Sequence, residues 1–262
     1  MTDRLDTALA IAREAGALAL ERFRALDDLK VEAKGRQDLV SDADREVEHL
    51  VRERLAATHP HDAILGEEHG RTQGTSGFTW VIDPIDGTAN YVAGIPVWCT
   101  VLAGVADGRT RLGVIHDPIH DETYAAALGE GATLNGAPLR QRAPRPLDES
   151  TVGVGASPRA DPQELAATLA AVLATGARHH RIATGAISLA WLAAGRLDGY
   201  MEPHMAPWDC LAGQLIVAEA GGRVESQNAD AMLARGGRVV AGTPDVFDAL
   251  VRIADATWRG GA

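Results

Sequence analysis

The chain has 262 residues, of which 46% are hydrophobic and 23% are charged, as expected for a globular protein with a substantial core. Its 36 acidic side chains outnumber its 25 basic ones, and the formal charge of −11 argues against a general nucleic-acid binder. No stretch reaches the roughly 18 apolar residues of a membrane span, and the charged first residues show no signal peptide. Cys99 and Cys210 form no paired motif, which favours a reduced, buried state in a cytoplasmic protein.

The first segment of the chain is expected to be helical. Apolar residues recur at helical spacing from Leu5 to Phe23, which predicts an amphipathic helix. A second helix is predicted to begin at Ser41, which forms a capping-box pattern with Asp44, and its apolar face extends to Leu55. On this pattern alone, Asp44 is interpreted as a helix cap.

Two short apolar strands follow, and each ends in acidic residues. The strand at 63–65 leads into Glu67 and Glu68. The strand at 80–82 is expected to stop at Pro84, because proline cannot donate to a β-ladder. A polar, glycine-containing loop between the two strands allows the first acidic pair to fold back towards the second strand.

Two carboxylates, Asp83 and Asp86, flank the proline that ends the second strand. Gly87 then permits unusual backbone dihedrals, and Thr88 adds a hydroxyl beside free backbone amides. A strand that ends in clustered carboxylates and a glycine turn indicates a hard-cation site that holds a phosphate. The simpler alternative is an Asp-rich turn that only caps the local structure.

An antiparallel meander is predicted next. Strands at 97–105 and 111–115 are joined by a turn at Asp107-Gly108, and a strand at 123–127 leads to a turn at Asn135-Gly136.

Two histidines accompany the meander. His116 and His120 are four residues apart, but Pro118 between them forbids a regular helical ligand pair. We interpret both as surface or loop histidines rather than as metal ligands.

The chain is expected to form a single unit, 1–262, with two packed halves at about 1–143 and 147–262. The boundary is the Ala-Pro-Arg-Pro segment at 143–146. The second half alternates strands and helices, which predicts a layered α/β protein. Its predicted strands are 151–155, 199–202 and 238–241, and its predicted helices are 163–173, 186–194, 210–220 and 244–254.

Four acidic residues are candidates for one site: Glu67, Asp83, Asp86 and Asp209. The simpler interpretation of Asp209 is an N-cap for the helix at Cys210. Two like charges 4 Å apart cost about 4 kcal/mol at an effective dielectric constant of 20, so a convergent cluster would take up protons or hold divalent cations. Oxygen ligands favour Mg²⁺, Mn²⁺ or Ca²⁺ over zinc, and a pair of such ions would activate a water and neutralise a phosphoryl group.

Several motifs occur in a specific order along nearly the whole chain. They are Gly-Glu-Glu at 66–68, Asp-Pro-Ile-Asp-Gly-Thr at 83–88, Trp-Asp at 208–209 and Ala-Glu-Ala-Gly-Gly at 218–222. Together they resemble the signatures of the inositol monophosphatase family. The resemblance implies an αβαβα sandwich of the inositol monophosphatase and fructose-1,6-bisphosphatase type. It also implies a Mg²⁺-dependent, lithium-sensitive enzyme that is usually a homodimer.

The resemblance also implies a ligand set with two or three Mg²⁺ ions in the site, for which Mn²⁺ can substitute. The first ion would be bound by Glu67, Asp83 and the carbonyl oxygen of Ile85. The second would be bound by Asp83, Asp86 and Asp209.

Catalytic and substrate roles follow from the same resemblance. Thr88, oriented by Asp44, would align the attacking water and help to deprotonate it together with Glu67. The backbone amides of Gly87 and Thr88 would hold the phosphate, with no phosphoenzyme intermediate. Glu202 matches the position that contacts substrate hydroxyls, and its simpler interpretation is a solvated acid at the end of a strand.

One segment departs from the pattern of the family. Ala183, Thr184 and Gly185 stand where many relatives have a Gly-Ser pair followed by alanine. In the family this segment lines the leaving group, so Thr184, Gly185 and Asp209 are expected to contact the substrate. The departure leaves the identity of the substrate open.

The function that these patterns favour is a phosphomonoesterase acting on an inositol monophosphate or a similar small polyol phosphate. Alternative substrates are histidinol phosphate, fructose 1,6-bisphosphate and 3′-phosphoadenosine 5′-phosphate. An alternative of another class is a non-catalytic role in binding transcription machinery, which the complete ligand set disfavours. The expected partners are the small phosphomonoester and a second copy of the chain, with no nucleic acid and no membrane.

Overall fold

Two β-sheets alternate with three pairs of helices in the part of the chain that the structure describes. The structure is a computed structural model, and it describes residues 2–26, 30–35, 38–140, 142–143, 145–156 and 160–258. The helices are α1 (Thr2–Phe23), α2 (Asp42–Thr58), α3 (Thr88–Val92), α4 (Pro162–Ala174), α5 (Gly185–Ala193), α6 (Pro207–Glu219), α7 (Ala229–Arg235) and α8 (Pro244–Thr257).

The strands form two mixed sheets and one separate hairpin. They are β1 (Val31–Gly35), β2 (Asp38–Ser41), β3 (Ala63–Gly66), β4 (Gly70–Thr72), β5 (Thr79–Asp86), β6 (Cys99–Ala106), β7 (Arg109–Asp117), β8 (Glu122–Ala127), β9 (Gly131–Leu134), β10 (Ala137–Pro138), β11 (Thr151–Val154), β12 (Arg178–His180), β13 (Gly199–Met205), β14 (Arg223–Val224) and β15 (Gly237–Gly242). The larger sheet has the order β10-β9-β8-β7-β6-β5-β3-β4, and the smaller sheet has the order β12-β11-β13-β15-β14. The hairpin pairs β1 with β2.

Most neighbours in the larger sheet are antiparallel, but β3 and β5 run parallel. In the smaller sheet β11 runs parallel to both β12 and β13, whereas β15 is antiparallel to β13 and β14. The parallel pairs matter for function because the carboxyl ends of parallel strands meet at one edge of a sheet.

The helices cover the sheets in a fixed order. Helices α1 and α2 lie on one face of the larger sheet, and α5 and α6 lie between the two sheets. Helices α4 and α8 cover the outer face of the smaller sheet. This αβαβα order confirms the predicted fold class.

Three hydrophobic cores join the five layers, and the middle one extends over both faces of the α5–α6 layer. Leu55 and Ile82 belong to the core under α1 and α2, and Ile115 and Ile216 belong to the middle core. Leu250 of α8 belongs to the outer core. Both cysteines are free and buried, as predicted. No helix in the described part of the chain combines the length and apolar character that a membrane crossing requires.

The first two helices, the antiparallel meander and its two turns are confirmed. The predicted end of a strand at Pro84 is wrong, because β5 continues to Asp86. The pairing of β5 with β6 shifts register between Asp83 and Asp86, so the proline lies in a β-bulge where no ladder donor is needed. The hydroxyl of Thr100 donates to the Pro84 carbonyl oxygen at 3.0 Å.

The interpretation of His116 as a surface residue is also wrong. This histidine lies on β7, is 5% exposed, and its Nδ1 is 3.0 Å from the Thr123 hydroxyl. Its ring lies against Gly16 of α1, where a β-carbon would overlap it. His120 lies in the turn after β7, where its Nδ1 is 2.8 Å from Asp117.

Other elements differ in extent or were not predicted. The helix expected from Cys210 begins at Pro207, and the strand expected at 199–202 continues to Met205. Strand β12, helix α7 and the β1–β2 hairpin were not predicted. The division into halves at 143 and 147 stays a prediction, and Pro144 at that boundary lies outside the described residues.

Helix α6 lies so close to β7 that one side-chain carbon more would not fit. A β-carbon on Gly113 would be 2.7 Å from the Cα of Ala212, and backbone cannot yield as a flexible side chain does. We expect Gly113→Ala to lower the free energy of unfolding by about 1–3 kcal/mol, the usual cost of overpacking. Chemical denaturation measures this, with Arg109→Ala at the exposed start of β7 as the control. Equal stability of both variants would contradict the close approach.

Candidate active site

The first two acidic residues of the site are brought together by the parallel pairing of β3 and β5. Gly66 at the end of β3 is in register with Ile82 of β5. The backbone N–H of Glu67 donates to the Ile82 carbonyl oxygen at 3.2 Å. Glu67 therefore follows its strand directly beside Asp83, as the sequence predicted.

The third acidic residue comes from the start of α6. Ala206 is the N-cap of this helix, so Asp209 lies three residues inside it and is not the N-cap. One carboxylate oxygen of Asp209 accepts from the Ala206 N–H at 3.3 Å. Ligand atoms of Glu67, Asp83 and Asp209 lie within 4.8 Å of one another, and we call these three residues the acidic cluster.

Asp86 adjoins this cluster and is held through one oxygen. Its Oδ2 accepts from the Thr184 hydroxyl, from the Ala186 N–H at 2.8 Å and, more weakly, from the Cys99 thiol at 3.9 Å. Because three donors reach Oδ2, Oδ1 is the oxygen that can bind another group. Asp83 is held in the same way, with Oδ1 accepting from the Ile85 N–H at 3.0 Å.

Burial raises the pKa of Asp83 well above its ordinary value, and the charges of Glu67, Asp86 and Asp209 raise it further. Burial also raises the pKa of Asp209, with additional repulsion from Asp86 and Glu202. Burial raises the pKa of Asp86, against the hydrogen bonds that it accepts. The cluster therefore binds protons or divalent cations. Its oxygen-only donors fit Mg²⁺ or Mn²⁺.

Thr88 and Asp44 are distant in sequence but in contact. The Thr88 hydroxyl is 3.2 Å from Asp44 Oδ1 and 3.1 Å from the carbonyl oxygen of Ile85, the backbone group predicted as a metal ligand. Asp44 Oδ2 accepts from the backbone N–H of Ser41 at 2.8 Å and from its hydroxyl at 2.6 Å. Asp44 is thus both the helix cap that its sequence position indicated and the neighbour of Thr88. Burial raises its pKa.

Gly87 makes the turn between Asp86 and α3. Its φ is 97°, which a residue with a side chain rarely adopts. A β-carbon at this position would also be 3.2 Å from the Val97 carbonyl oxygen. Gly87 therefore lets the chain turn sharply enough to place Thr88 next to Asp44.

Glu48 is a residue of the site that the sequence interpretation missed. Its buried carboxylate accepts from Arg52 Nε at 2.6 Å and from the backbone N–H groups of Glu68 at 2.7 Å and His69 at 3.2 Å. It also occupies the space that a β-carbon on Gly66 would take. Glu48 therefore holds the turn that carries Glu67. An acidic residue next to the apolar face of α2, four residues before Arg52, was the available signal.

A cavity of about 460 Å³ opens beside the acidic cluster. Among the predicted substrate residues, Thr184, Gly185, Glu202 and Asp209 line it, as does Asp86. Gly87 and Thr88 adjoin this wall through Asp86 but do not line the cavity itself. The Thr184 hydroxyl donates a hydrogen bond to Asp86. Thr184 therefore connects the cavity wall to the acidic site.

Glu202 lines the cavity and is 7% exposed, so its interpretation as a solvated acid is wrong. Its Oε2 accepts from the Tyr200 hydroxyl at 2.6 Å. Burial raises the pKa of Glu202 to about 7, although the Tyr200 hydrogen bond acts in the opposite direction.

Ala183 has a φ of 58°, a left-handed conformation that costs a residue with a β-carbon roughly 1–2 kcal/mol. It stands in the cavity wall where many relatives were expected to have glycine. The departure noted in the sequence is therefore also a strained backbone position in the wall of the cavity.

The layered sandwich is the fold of solved inositol-monophosphatase-type proteins. The IMPase of Thermotoga maritima has this fold, with a TM-score of 0.86 and 28% identity over 97% of this chain and 98% of its own. A model of the inositol monophosphatase family matches residues 1–259. The chain belongs to this family.

Relatives within the family carry another name. The Nus factor SuhB of Escherichia coli is 34% identical over 256 residues, which cover 96% of this chain and 95% of the relative. The crystal structure of the extragenic suppressor protein SuhB from Bartonella henselae has a TM-score of 0.89 and 32% identity, over 95% of this chain and 96% of its own.

Removal of the Glu48 charge should loosen the Glu67 turn. In Glu48→Gln the side-chain amide can no longer accept from all its partners, and an unsatisfied buried donor costs about 1–3 kcal/mol. We expect a lower melting temperature and a higher Mg²⁺ concentration for half-maximal thermal stabilisation. Glu53→Gln, on the exposed side of the same helix, is the control. Unchanged melting temperature and Mg²⁺ requirement would refute the assigned role.

The acidic site should make the metal-free protein less stable as the pH rises. Because the folded pKa of Asp83 is raised, the unfolded chain loses this proton first. The free energy of unfolding should therefore fall as the pH rises above about 4, the ordinary pKa of an aspartate. It should stop falling once the pH exceeds the raised pKa of Asp83 in the folded protein.

Asp83→Asn should weaken this pH dependence. In EDTA near neutral pH we expect its melting temperature to exceed that of the unaltered protein, by about 2–4 °C for each kcal/mol of relieved repulsion. It should also lose most of the stabilisation by Mg²⁺. Melting curves from pH 4 to 8, with and without Mg²⁺, measure both effects. A pH-independent difference between the two proteins would contradict this electrostatic account.

Proposed function

We propose that the protein is a Mg²⁺-dependent phosphomonoesterase that hydrolyses an inositol monophosphate or a similar small polyol phosphate. The observation that carries the proposal is the convergence of Glu67, Asp83 and Asp209 within 4.8 Å, next to Asp86 and to the hydrogen-bonded Thr88. A purely structural role would not need so many carboxylates at such short distances, because their mutual repulsion destabilises the fold. Family membership supports the same reaction.

The proposed cation ligands are Glu67, Asp83, Asp86, Asp209 and the carbonyl oxygen of Ile85, with Mn²⁺ as a substitute for Mg²⁺. Bound divalent cations would supply charge neutralisation for the phosphoryl group and lower the pKa of a water molecule. The protein's own contribution is to hold these oxygens close together before any ion binds.

Thr88 and Asp44 are proposed to orient the attacking water. The Thr88 hydroxyl lies between two acceptors, Asp44 Oδ1 and the Ile85 carbonyl oxygen, so its position is fixed. With Glu67 it would align the water and assist the removal of its proton. The backbone N–H groups of Gly87 and Thr88 are proposed to hold the phosphate.

The leaving group is proposed to occupy the cavity lined by Thr184, Gly185, Glu202 and Asp209. A volume of about 460 Å³ accommodates a polyol ring. Histidinol phosphate, fructose 1,6-bisphosphate and 3′-phosphoadenosine 5′-phosphate remain the alternative substrates of the same chemistry.

A panel of phosphomonoesters tests the proposal. Purified protein is assayed with Mg²⁺ for phosphate release from inositol 1-phosphate, the three alternative substrates and p-nitrophenyl phosphate. We expect turnover with Mg²⁺, inhibition by Li⁺ and no activity in excess EDTA. Undiminished hydrolysis in EDTA, or none of any ester with Mg²⁺, would overturn the proposed function.

The coupling of Asp44 and Thr88 can be tested separately. If both act on the same water, Asp44→Asn and Thr88→Ala should each lower kcat, and the double variant should lose little more than the worse single variant. If Asp44 only caps α2, its replacement should lower the melting temperature slightly and leave kcat unchanged. A double loss equal to the product of the single losses would contradict direct coupling.

A second candidate function is a role in transcription. It is favoured by the relative named Nus factor SuhB, which matches over 96% of this chain. Because the formal charge of the chain is −11, contact with a protein of the transcription machinery suits it better than direct contact with nucleic acid.

Sedimentation with purified bacterial transcription elongation complexes tests the second candidate. If binding is independent of catalysis, Asp83→Asn should associate as well as the unaltered protein. Absence of association at micromolar concentrations of both components would remove this candidate and leave the phosphatase proposal intact. With the phosphatase function we also propose that the protein is a homodimer and that it is cytoplasmic. The two free cysteines are in keeping with the cytoplasmic location.

A further inference from the structure

Tyr200 and Glu202 form a buried pair in the wall of the cavity. Because they are two residues apart on β13, their side chains point to the same side of the sheet. The Tyr200 hydroxyl donates to Glu202 Oε2 at 2.6 Å, and both residues line the cavity. Tyr200 is 3% exposed, so its hydroxyl has little access to competing water.

The surroundings keep this pair in place. A β-carbon on Gly155, just after β11, would overlap both the Tyr200 hydroxyl and Glu202 Oε2. On the other side, a β-carbon on Gly185 would overlap the Met205 side chain and lie 3.5 Å from the Tyr200 hydroxyl. Glycines at these two positions therefore leave the space that the tyrosine hydroxyl, the carboxylate and the Met205 side chain occupy.

Glu202 therefore faces the cavity with one defined oxygen. Its Oε2 is engaged by Tyr200, which leaves Oε1 to accept from a bound molecule. Asp86 repels the charge of Glu202, and Arg181 in the same wall attracts it. With Mg²⁺ bound as in the proposed function, the charges of Asp86 and Asp209 are compensated. A ligand that carries its own cation then meets the positive charge of Arg181, whereas a neutral hydroxyl does not.

We propose that Tyr200 is a positioning residue that fixes Glu202, so that the cavity selects a leaving group with neutral hydroxyl donors over one that carries an ammonium group. The inference rests on the proposed phosphatase function and specifies its substrate class as a neutral polyol phosphate. Tyr200 itself acts through Glu202.

The experiment compares ligands that differ only in the leaving group and that cannot be hydrolysed. The probes are methylphosphonate, the phosphonate analogue of inositol 1-phosphate, and an aminoalkyl phosphonate that carries an ammonium group. Calorimetry with Mg²⁺ measures the Kd of each. In the unaltered protein we expect the inositol phosphonate to bind at least tenfold more tightly than either of the others.

Tyr200→Phe should weaken binding of the inositol phosphonate about 3- to 10-fold, because the freed Glu202 side chain must be ordered on binding. Methylphosphonate should bind unchanged. In a Glu202→Gln background, Tyr200→Phe should add little further loss. Gly155→Ala, which displaces the same pair, is a second variant and should reproduce the ligand-specific loss.

Tyr124→Phe is a matched control. Tyr124 is also buried on a β-strand, and its hydroxyl also donates to a glutamate two residues away, Glu122, at 2.6 Å. It lies outside the cavity. Each tyrosine variant loses a buried tyrosine–glutamate hydrogen bond, so the melting temperature of both should fall. Only Tyr200→Phe should change the Kd of the inositol phosphonate.

Three results would overturn the inference. They are equal Kd changes for all three phosphonates, the same ligand-specific change in Tyr124→Phe, and tighter binding of the ammonium-bearing probe by the unaltered protein. Each can occur while the phosphomonoester panel still shows Mg²⁺-dependent turnover, which would leave the proposed function standing. Conversely, selective binding of the inositol phosphonate without turnover of any ester would support the inference and refute catalysis.

Discussion

The repulsion among the closely spaced carboxylates of Glu67, Asp83 and Asp209 is the constraint on which the site depends. Acidic groups at these distances do not remain together unless the backbone forces them. Here the parallel register of Gly66 and Ile82 fixes Glu67 beside Asp83, and the start of α6 brings in Asp209. The fold therefore stores an unfavourable electrostatic energy that protons or cations release.

A common device orients the carboxylates around this centre. Asp86 is held through Oδ2 by the Thr184 hydroxyl and a backbone amide, and Asp83 is held through Oδ1 by the Ile85 N–H. Asp44 is held through Oδ2 by Ser41, and Glu202 through Oε2 by Tyr200. In each case the scaffold holds one oxygen. The second oxygen of Asp44 accepts from Thr88, and in the other three residues it is the oxygen that the proposed function would use. Orientation before binding lowers the entropic cost of binding.

The sequence predicted those parts of the site that depend on short-range order. The Glu67 turn, the Asp83-to-Thr88 motif and the layered fold follow from residue types and spacing. The continuation of β5 past Pro84 was missed, because a bulge is decided by the neighbouring strand and not by the proline. His116 was misplaced for a similar reason, since only the approach of α1 at Gly16 buries it.

Glu48 and Tyr200 show what local patterns cannot give. The two backbone partners of Glu48 lie on a loop about 20 residues further along the chain, and those contacts depend on how that loop folds back. Tyr200 fits the alternating pattern of an ordinary strand residue. Its proposed role depends on its contacts with Glu202 and with Gly155, which follows a different strand. In both cases the contacts are determined by packing against segments that are distant in sequence.

The placement of α6 between the two sheets has a consequence for the order in which the protein assembles. Asp209 reaches the acidic cluster only when α6 lies against β7 at Gly113, and Asp83 is far from it in sequence. Contacts of such long sequence separation form late, because the intervening chain must first lose its loop entropy. A folding intermediate with only the larger sheet would thus lack a complete cation site. Cations would then slow unfolding rather than accelerate folding, and they would protect the finished molecule without guiding the nascent chain.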